Sequence, residues 1–383
     1  MKAVLVHYGE IALKGKNRRF FEKALVDNIK ISIGKNLVKE VKRLEGRLFV
    51  SLNKDDKKTT DIVRTKLSNI FGIKWFSFPL VCKTDLDEIK KTVSKASKGK
   101  MEDKTFKIDT RRSFKRFPHN SIQMNEMLGG VILDEHKCKV SLDNPDVTVS
   151  VEITKDYTFV SIDKIRGPGG LPIGSGGRML VLLSGGIDSC AAAWLIMKRG
   201  FSVDYLHIHA LRNDSDVKKT KIKEIYEKMK EYNPRSKLYT ASYHEFDIKS
   251  QSAPSDYNLI LFRRFMFKLA EKFAEKIKAK AIVAGDNIAQ VASQTIESIT
   301  VSDEAVNIPI MRPLLTYDKE EIIDLARKIG TFDLSIKDYK DCCSIISSHP
   351  TTKPKLEKVQ LYEKKIGIDK IVNKSIKNVS ILD

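Results

Sequence analysis

Between Leu180 and Gly200 the chain reads LVLLSGGIDSCAAAWLIMKRG, and few local arrangements satisfy that order. The apolar run Leu180–Leu183 predicts a buried strand. Ser184-Gly185-Gly186-Ile187-Asp188-Ser189 predicts a tight turn, and an alanine-rich helix over Ser189–Arg199 follows, stopped by Gly200. Two glycines between a strand and a helix start leave backbone N–H groups free to point inward, with the helix's positive end behind them. The turn is therefore suited to an anion. It lacks the GxxxxGK[ST] spacing and the lysine of the commonest phosphate loop. The plain alternative is a strand-to-helix turn that happens to be Gly-Gly.

From Arg178 onward the pattern alternates. Strands are expected at Leu180–Leu183, Ser202–His209, Lys237–Tyr243 and Ala281–Gly285, and helices at Ser189–Arg199, Asp216–Glu231, Asn258–Lys278 and Lys319–Ile329. Asp318 and Glu321 form a capping box for the last helix, and Gly330 ends it. That order predicts a doubly wound parallel sheet with its ligand at the strand carboxyl ends.

The preceding residues read differently. Lys2–Tyr8, a helix Arg18–Ile33, a hairpin Val41–Leu52, a helix Thr60–Ile70 and a strand Ile73–Val81 give a βαββαβ order and suggest a ferredoxin-like module. The cations Lys14, Lys16, Arg18 and Arg19 sit at a helix start, the wrong end for a macrodipole to welcome them, which an external phosphate would offset. Solvated lysines are the alternative. A second α+β unit follows, with a helix Leu86–Lys98, a strand Thr105–Thr110, a helix Ser121–His136 and a hairpin Val147–Ile165. Within it Arg111, Arg112, Lys115 and Arg116 interleave with Phe114 and Phe117, a composition that can bind phosphates and stack on bases, or form an exposed turn. Gly129-Gly130 inside a helix costs about 1 kcal/mol per residue relative to alanine, and close backbone approach is the expected reason. The run from Arg166 to Gly177 marks a linker, since it precedes a strand and has no GxGxxG register. The expected divisions are 1–75, 76–167, a linker 168–177, and 178–383.

A formal charge of +20 points to a polyanionic partner, nucleic acid before an anionic membrane surface. A lysine-rich solvated surface of a protein from a hot habitat gives the same number. No apolar run approaches the roughly 18 residues of a membrane span. The opening MKAVLVHYGEIALKG is not expected to act as a secretory leader. Five cysteines without a CxxC pair fit a reducing cytoplasm without a disulfide framework.

SGGxDS resembles the PP-loop, the pyrophosphate-binding loop of enzymes that cleave ATP to AMP and pyrophosphate. Further stretches resemble one family within that group. They are Tyr8 through Arg18, Phe117-Pro118-His119, Leu128-Gly129-Gly130, Gly285 with Ser293-Gln294-Thr295, Arg312-Pro313-Leu314, Tyr317-Asp318-Lys319 and Asp341-Cys342-Cys343. Together they resemble the tRNA 4-thiouridine synthetases (tRNA uracil 4-sulfurtransferases, ThiI type) over essentially the whole chain.

The resemblance implies an N-terminal ferredoxin-like domain, a THUMP domain that grips tRNA, and a PP-loop domain. It implies adenylation of the C4 oxygen of uridine 8 of tRNA and its replacement by persulfide sulfur. By position, Leu182, Leu183, Ser184, Gly185, Gly186, Asp188, Ser189, His207, Ile208, Arg264, Gly285 and Gln294 are implied as ATP contacts. Asp188 and Lys319 are implied in adenylation and Cys343 in handling sulfur. The plain readings are a helix N-cap for Asp188, an exposed helix lysine for Lys319, a snorkelling Arg264, a core His207, and a buried inert pair for Cys342 and Cys343. A lowered thiol pKa is needed at Cys343, and Lys337 and Lys340 lie near it in sequence.

ATP and Mg²⁺ are expected, with Asp188 supplying a hard oxygen ligand. An iron–sulfur cluster is not expected, there being no CxxC. Longer family members carry a C-terminal rhodanese domain that delivers sulfur, and no counterpart is expected here. A Cys342–Cys343 bond would be strained, because adjacent Cα atoms lie about 3.8 Å apart and disulfides need roughly 4.4–6.8 Å. The donor is expected to be a cysteine desulfurase, a separate rhodanese-like protein or sulfide. A homodimer is left open, and a role in thiamine thiazole synthesis is not carried over. The rivals are a PP-loop amidase-type ligase, which would not need the basic N-terminal half, and a non-catalytic THUMP RNA-binding protein, against which the intact SGGIDS and Lys319 speak.

Overall fold

The computed structural model describes residues 3–288, 290–291, 294–339, 341–342, 346 and 349–382, and these form two compact units, Met1–Leu171 and Pro172–Asp383.

In the first unit, β1 (Ala3–Tyr8) is buried almost throughout and is the middle strand of an antiparallel sheet. It is flanked by β3 (Arg47–Leu52) and β4 (Ile73–Ser77), and β2 (Val38–Leu44) closes one edge through its hairpin with β3. Helix α1 (Arg18–Ile33) places Leu25, Ile29 and Ile33 on that sheet. Helix α2 (Lys57–Ser68) is capped by Asp56, whose carboxylate accepts from the Thr59 N–H at 2.7 Å. The expected ferredoxin-like order is therefore present.

The expected strand over 73–81 is instead two strands in two sheets. Phe78-Pro79 interrupts it, since proline has no N–H to donate to a ladder, and β5 (Leu80–Lys83) pairs in the next domain. There the order is β5, β9 (Tyr157–Ser161), β8 (Val147–Ile153), β6 (Thr105–Arg112) and β7 (Lys139–Val140), covered by α3 (Leu86–Ser97) and α4 (Ser121–Glu135). The close approach expected at Gly129-Gly130 is not made by the described residues: a Cβ at either position would have none of their heavy atoms within 4 Å.

After β9 the chain returns to the first sheet. β10 (Ile165–Arg166) pairs antiparallel with β4, the Gly167 N–H donates to Lys74, and the Gly169 N–H donates to Ile73. The start of the expected linker is thus bound into the ferredoxin-like domain. Glu152 of β8 adds a side-chain tie, pairing with Arg47 and with His7 Nε2 at 2.9 Å.

The second unit is a six-stranded sheet. Its order is β15 (Ile310–Met311), β14 (Ile282–Val283), β11 (Arg178–Leu182), β12 (Ser202–His209), β13 (Leu238–Ser242) and β16 (Ser380–Ile381). Five strands are parallel, and β16 adds an antiparallel edge. Succession runs β11, β12, β13 to one side and β14, β15 to the other. The switch therefore falls at the carboxyl ends of β11 and β14, where such sheets take their ligands.

Candidate active site

The residues at that switch follow from local geometry. Helix α5 (Ile187–Lys198) begins two residues earlier than expected and its N-cap is Gly186, so Asp188 lies in the first turn and is not the cap. No side chain caps this helix. The turn is held instead by two serines: the Ser189 hydroxyl accepts from the Ser184 N–H and lies 3.2 Å from the Ser184 hydroxyl. Gly285, just past β14, is needed for close packing. A Cβ there would stand 2.8 Å from the Asp188 carbonyl carbon and 2.8 Å from the Ser189 nitrogen.

Lys319 opens α10 (Lys319–Ile329) behind the reciprocal cap of Asp318 and Glu321. Its ammonium donates to Asp188 Oδ1 at 2.8 Å, so the two residues implied in adenylation meet at the turn. Behind them stands a frame that sequence reasoning missed. Asn287 donates its amide to the Leu314 carbonyl at 3.2 Å and to the Tyr317 carbonyl. Asp286 is clasped by Arg263 and Arg312 at 2.9 and 2.8 Å. Burial would raise the Asp286 carboxyl, but the two guanidiniums hold it below the usual carboxylate range. The sequence held only one part of this frame, Arg312-Pro313-Leu314 as a stretch of the resemblance, and nothing that joined it to Asp286 or Asn287.

Beside the turn lies a cavity of about 70 Å³ lined in part by Leu182, Leu183, Ser184, His207 and Ile208, with Phe262 and Met266 from α8 (Asn258–Ile277). Five expected nucleotide contacts thus share one wall. His207 is 1% exposed. Its Nδ1 lies 2.7 Å from the Leu183 carbonyl, which can only accept, so the proton sits on Nδ1. The neutral ring then accepts at Nε2 from the Tyr339 hydroxyl at 2.8 Å. Burial pushes the His207 pKa down to about 4.

Arg264 faces elsewhere. It is 2% exposed, and its guanidinium engages Glu363 and Glu304, each at 2.8 Å, and the Val301 carbonyl. It is a buried ion-pair residue tying α8 to α9 (Ile296–Asp303) and to the helix Leu356–Ile366, neither a snorkelling side chain nor part of the cavity wall. Gln294 is buried, and its side-chain carbonyl has no hydrogen-bond partner among the described residues.

A second group was not assembled from the sequence, which offered Asp341 only within the stretch Asp341-Cys342-Cys343. Asp341 accepts from the Gly185 N–H at 3.2 Å. Lys221, the first residue of α6 (Lys221–Lys230), is buried against the same glycine and donates to the Ser335 and Lys337 carbonyls at 2.8 and 2.6 Å. Burial raises the Asp341 carboxyl and lowers the Lys221 ammonium, each countered by its neighbour's charge.

Comparison with known proteins places this geometry. The description "Thiamine biosynthesis protein (ThiI)" matches residues 174–368, a THUMP domain matches 83–163, and a ThiI ferredoxin-like domain matches 3–77. A "Probable tRNA sulfurtransferase" of Thermoanaerobacter sp. (strain X514) is 41% identical over 373 residues, 97% of each chain. The chain belongs to the ThiI family. A ThiI-like relative of the same printed name from Caldanaerobacter subterraneus subsp. tengcongensis is 40% identical over 97% of each chain. A crystal structure of a 4-thiouridine synthetase–RNA complex with bound ATP superposes with a TM-score of 0.88 at 31% identity, covering 100% of this chain and 99% of that one. The structure of PH1313 from Pyrococcus horikoshii Ot3 gives 0.69 at 26% identity, over 86% and 100%.

Among the remaining residues singled out in this ThiI family member, Cys343 and Lys340 lie outside the described residues, as does Ser293. Lys337 is described, and its ammonium is paired with Glu224. Cys342 is 3% exposed, its thiol 3.5 Å from the Ile208 carbonyl. Of the basic residues, Lys16, Arg19, Arg111, Lys115 and Arg116 are exposed. Arg18 is turned inward, donating to the Tyr8 hydroxyl at 2.5 Å and to Glu22 at 2.9 Å, while Lys14 lies over the Phe21 ring. Arg112 donates to the Phe117 carbonyl at 3.2 Å. Of the two expected base-stacking aromatics, Phe117 is 7% exposed in the core, while Phe114 is half-buried against that core. No helix among the described residues is long and apolar enough to cross a membrane.

Proposed function

We propose that this chain transfers sulfur to tRNA in an ATP-dependent reaction, adenylating the C4 oxygen of uridine 8 and replacing it with sulfur to give 4-thiouridine. The observation that carries the reading is the meeting of Lys319 with Asp188 at 2.8 Å beside Gly185-Gly186, in a chain 41% identical over 97% of its length to a tRNA sulfurtransferase.

The C4 carbonyl of uracil is a poor electrophile without a leaving group. Its oxygen attacks the α-phosphorus of ATP and pyrophosphate departs, leaving AMP on that oxygen. The Gly-Gly amides, the start of α5 and Lys319 face the charge that builds on the departing diphosphate. Leu182, Leu183, His207 and Ile208 wall the nucleotide, and His207 stays neutral. Arg264 acts at a distance by fixing α8. Asp188 carries a carboxylate of the kind that Mg²⁺ takes, and a bound ion would neutralise the phosphates. Sulfur then attacks C4, and AMP leaves with the former O4. With a persulfide on Cys343, a second thiol frees the product by breaking the S–S bond as a disulfide forms. With sulfide the thiolated base forms directly. A cysteine desulfurase, a rhodanese-like protein or sulfide fills the donor role, and the exposed cations Lys16, Arg19, Arg111, Lys115 and Arg116 meet tRNA phosphates.

Purified chain, unmodified tRNA, Mg²⁺-ATP and sulfide should yield 4-thiouridine, read by its absorbance and by mass. Asp188→Ala should give none, and a tRNA lacking the target uridine should stay unmodified. Cys343→Ala should lose the persulfide-driven reaction while retaining some sulfide-driven product. Failure of the wild-type chain to release pyrophosphate in a tRNA-dependent way sinks the reading.

A further inference from the structure

Carboxylate and phosphate oxygens are the same kind of acceptor for a backbone amide, and one N–H cannot serve both fully. The Gly185 amide, at the place assigned above to the departing diphosphate, already donates to Asp341 Oδ1 at 3.2 Å. The fit is close. A Cβ on Gly185 would lie 2.7 Å from Lys221 Cε, 3.0 Å from Tyr339 Cδ1 and 3.2 Å from Asp341 Oδ2. Lys221 is buried and pinned by the Ser335 and Lys337 carbonyls, so its charge stays beside the turn whichever anion sits there. Tyr339 closes the group by donating to His207 on the cavity wall.

We propose that Asp341 is a resident anion that competes with the nucleotide's diphosphate for the Gly185 amide, and that Lys221 is the counter-charge to whichever of the two is bound. Arrival of the diphosphate then releases Asp341, which stands two residues before Cys343 in sequence. Filling of the phosphate site is thereby linked through a single covalent segment to the sulfur-handling cysteine. This deepens the proposed function and rests on its reading of the loop as a diphosphate site.

The test is calorimetric binding of inorganic pyrophosphate to the full chain, in EDTA and again with Mg²⁺. It compares wild type, Asp341→Asn, Lys221→Gln (which keeps a donor for the two carbonyls) and the double variant. Asp341→Asn, whose amide oxygen accepts from Gly185 without a charge, should bind pyrophosphate about tenfold more tightly in EDTA, the difference between displacing a charge-assisted and a neutral hydrogen bond. Lys221→Gln should weaken binding about tenfold in both backgrounds. If Asp341→Asn does not fold, Asp341→Ser takes its place. Unchanged or weaker binding by the Asp341 variant in EDTA overturns the proposal. So does a loss confined to Mg²⁺, which would make Asp341 a metal ligand. An unaltered Lys221→Gln in the Asp341→Asn background removes the counter-charge role. Wild type that binds no pyrophosphate under either condition sinks the diphosphate reading itself, whereas binding by wild type with no change in Asp341→Asn sinks only this inference.

Discussion

His207 and Gly285 show what single residues contribute. His207 is held neutral with its folded pKa near 4 against an ordinary 6.5. The unfolded chain therefore takes up a proton first as pH falls, and the stability this residue contributes is present above pH 6.5 and drains away towards pH 4. The expected loss is about 3 kcal/mol over that window, and His207→Gln should flatten that part of a urea-midpoint profile. Asp286 adds a loss at lower pH, since its folded pKa is held below the unfolded value by Arg263 and Arg312. Gly285→Ala would push a methyl into the Asp188 and Ser189 backbone. We expect about 1–3 kcal/mol of destabilisation with a falling Tm, as for other overpacked sites. Alternation along Ser202–His209 placed His207 inward, and the glycine-rich turn was plain from composition. The place of Asp341 and Lys221 at the turn was not legible, although Asp341 fell in a stretch of the resemblance, because Gly185 is 156 and 36 positions away from them in sequence.

Elements with strong local signals stood where the sequence put them. Helix α1, with its four-residue apolar spacing, and α10, with its capping box and terminal glycine, match the expected spans. The misses share a cause. The two-residue strands β7, β10, β15 and β16 owe their conformation to the neighbour they pair with, and so carry little periodicity of their own, whereas β14 lies inside the expected strand at 281–285. The frame behind Lys319 is of the same kind, because Asn287 and Arg312 act only once β14 and β15 are side by side. Asn287→Ala should remove the side-chain donor from the Tyr317 carbonyl, leave the Leu314 carbonyl only the Tyr317 N–H, and loosen the start of α10. The adenylation rate, read as pyrophosphate release, should fall at least about tenfold with little change in the KM for tRNA. A rate equal to wild type would show that Lys319 is positioned by other means.

At the scale of the molecule, the +20 charge was the first hint of a polyanionic substrate. It is borne in part by exposed cations on the first unit. Affinity for tRNA should fall steeply with salt, with a log–log slope reduced by about 1 for each of Lys115→Ala and Arg116→Ala. A slope unaffected by either would take that loop off the contact surface. Residues 1–171 pack as one compact unit, and the route of the chain through them limits how they can be handled. The backbone leaves the ferredoxin-like sheet after β4 and builds the THUMP domain. It then comes back to lay Ile165 and Arg166 along the same β4, with Gly167 and Gly169 tied to the residues beside it. The THUMP domain is therefore an insertion, not a bead on a string. A cassette excised at residue 163 would bare the edge of its neighbour and invite strand-to-strand aggregation. Grafting the THUMP domain onto another enzyme would require transplanting both small domains together.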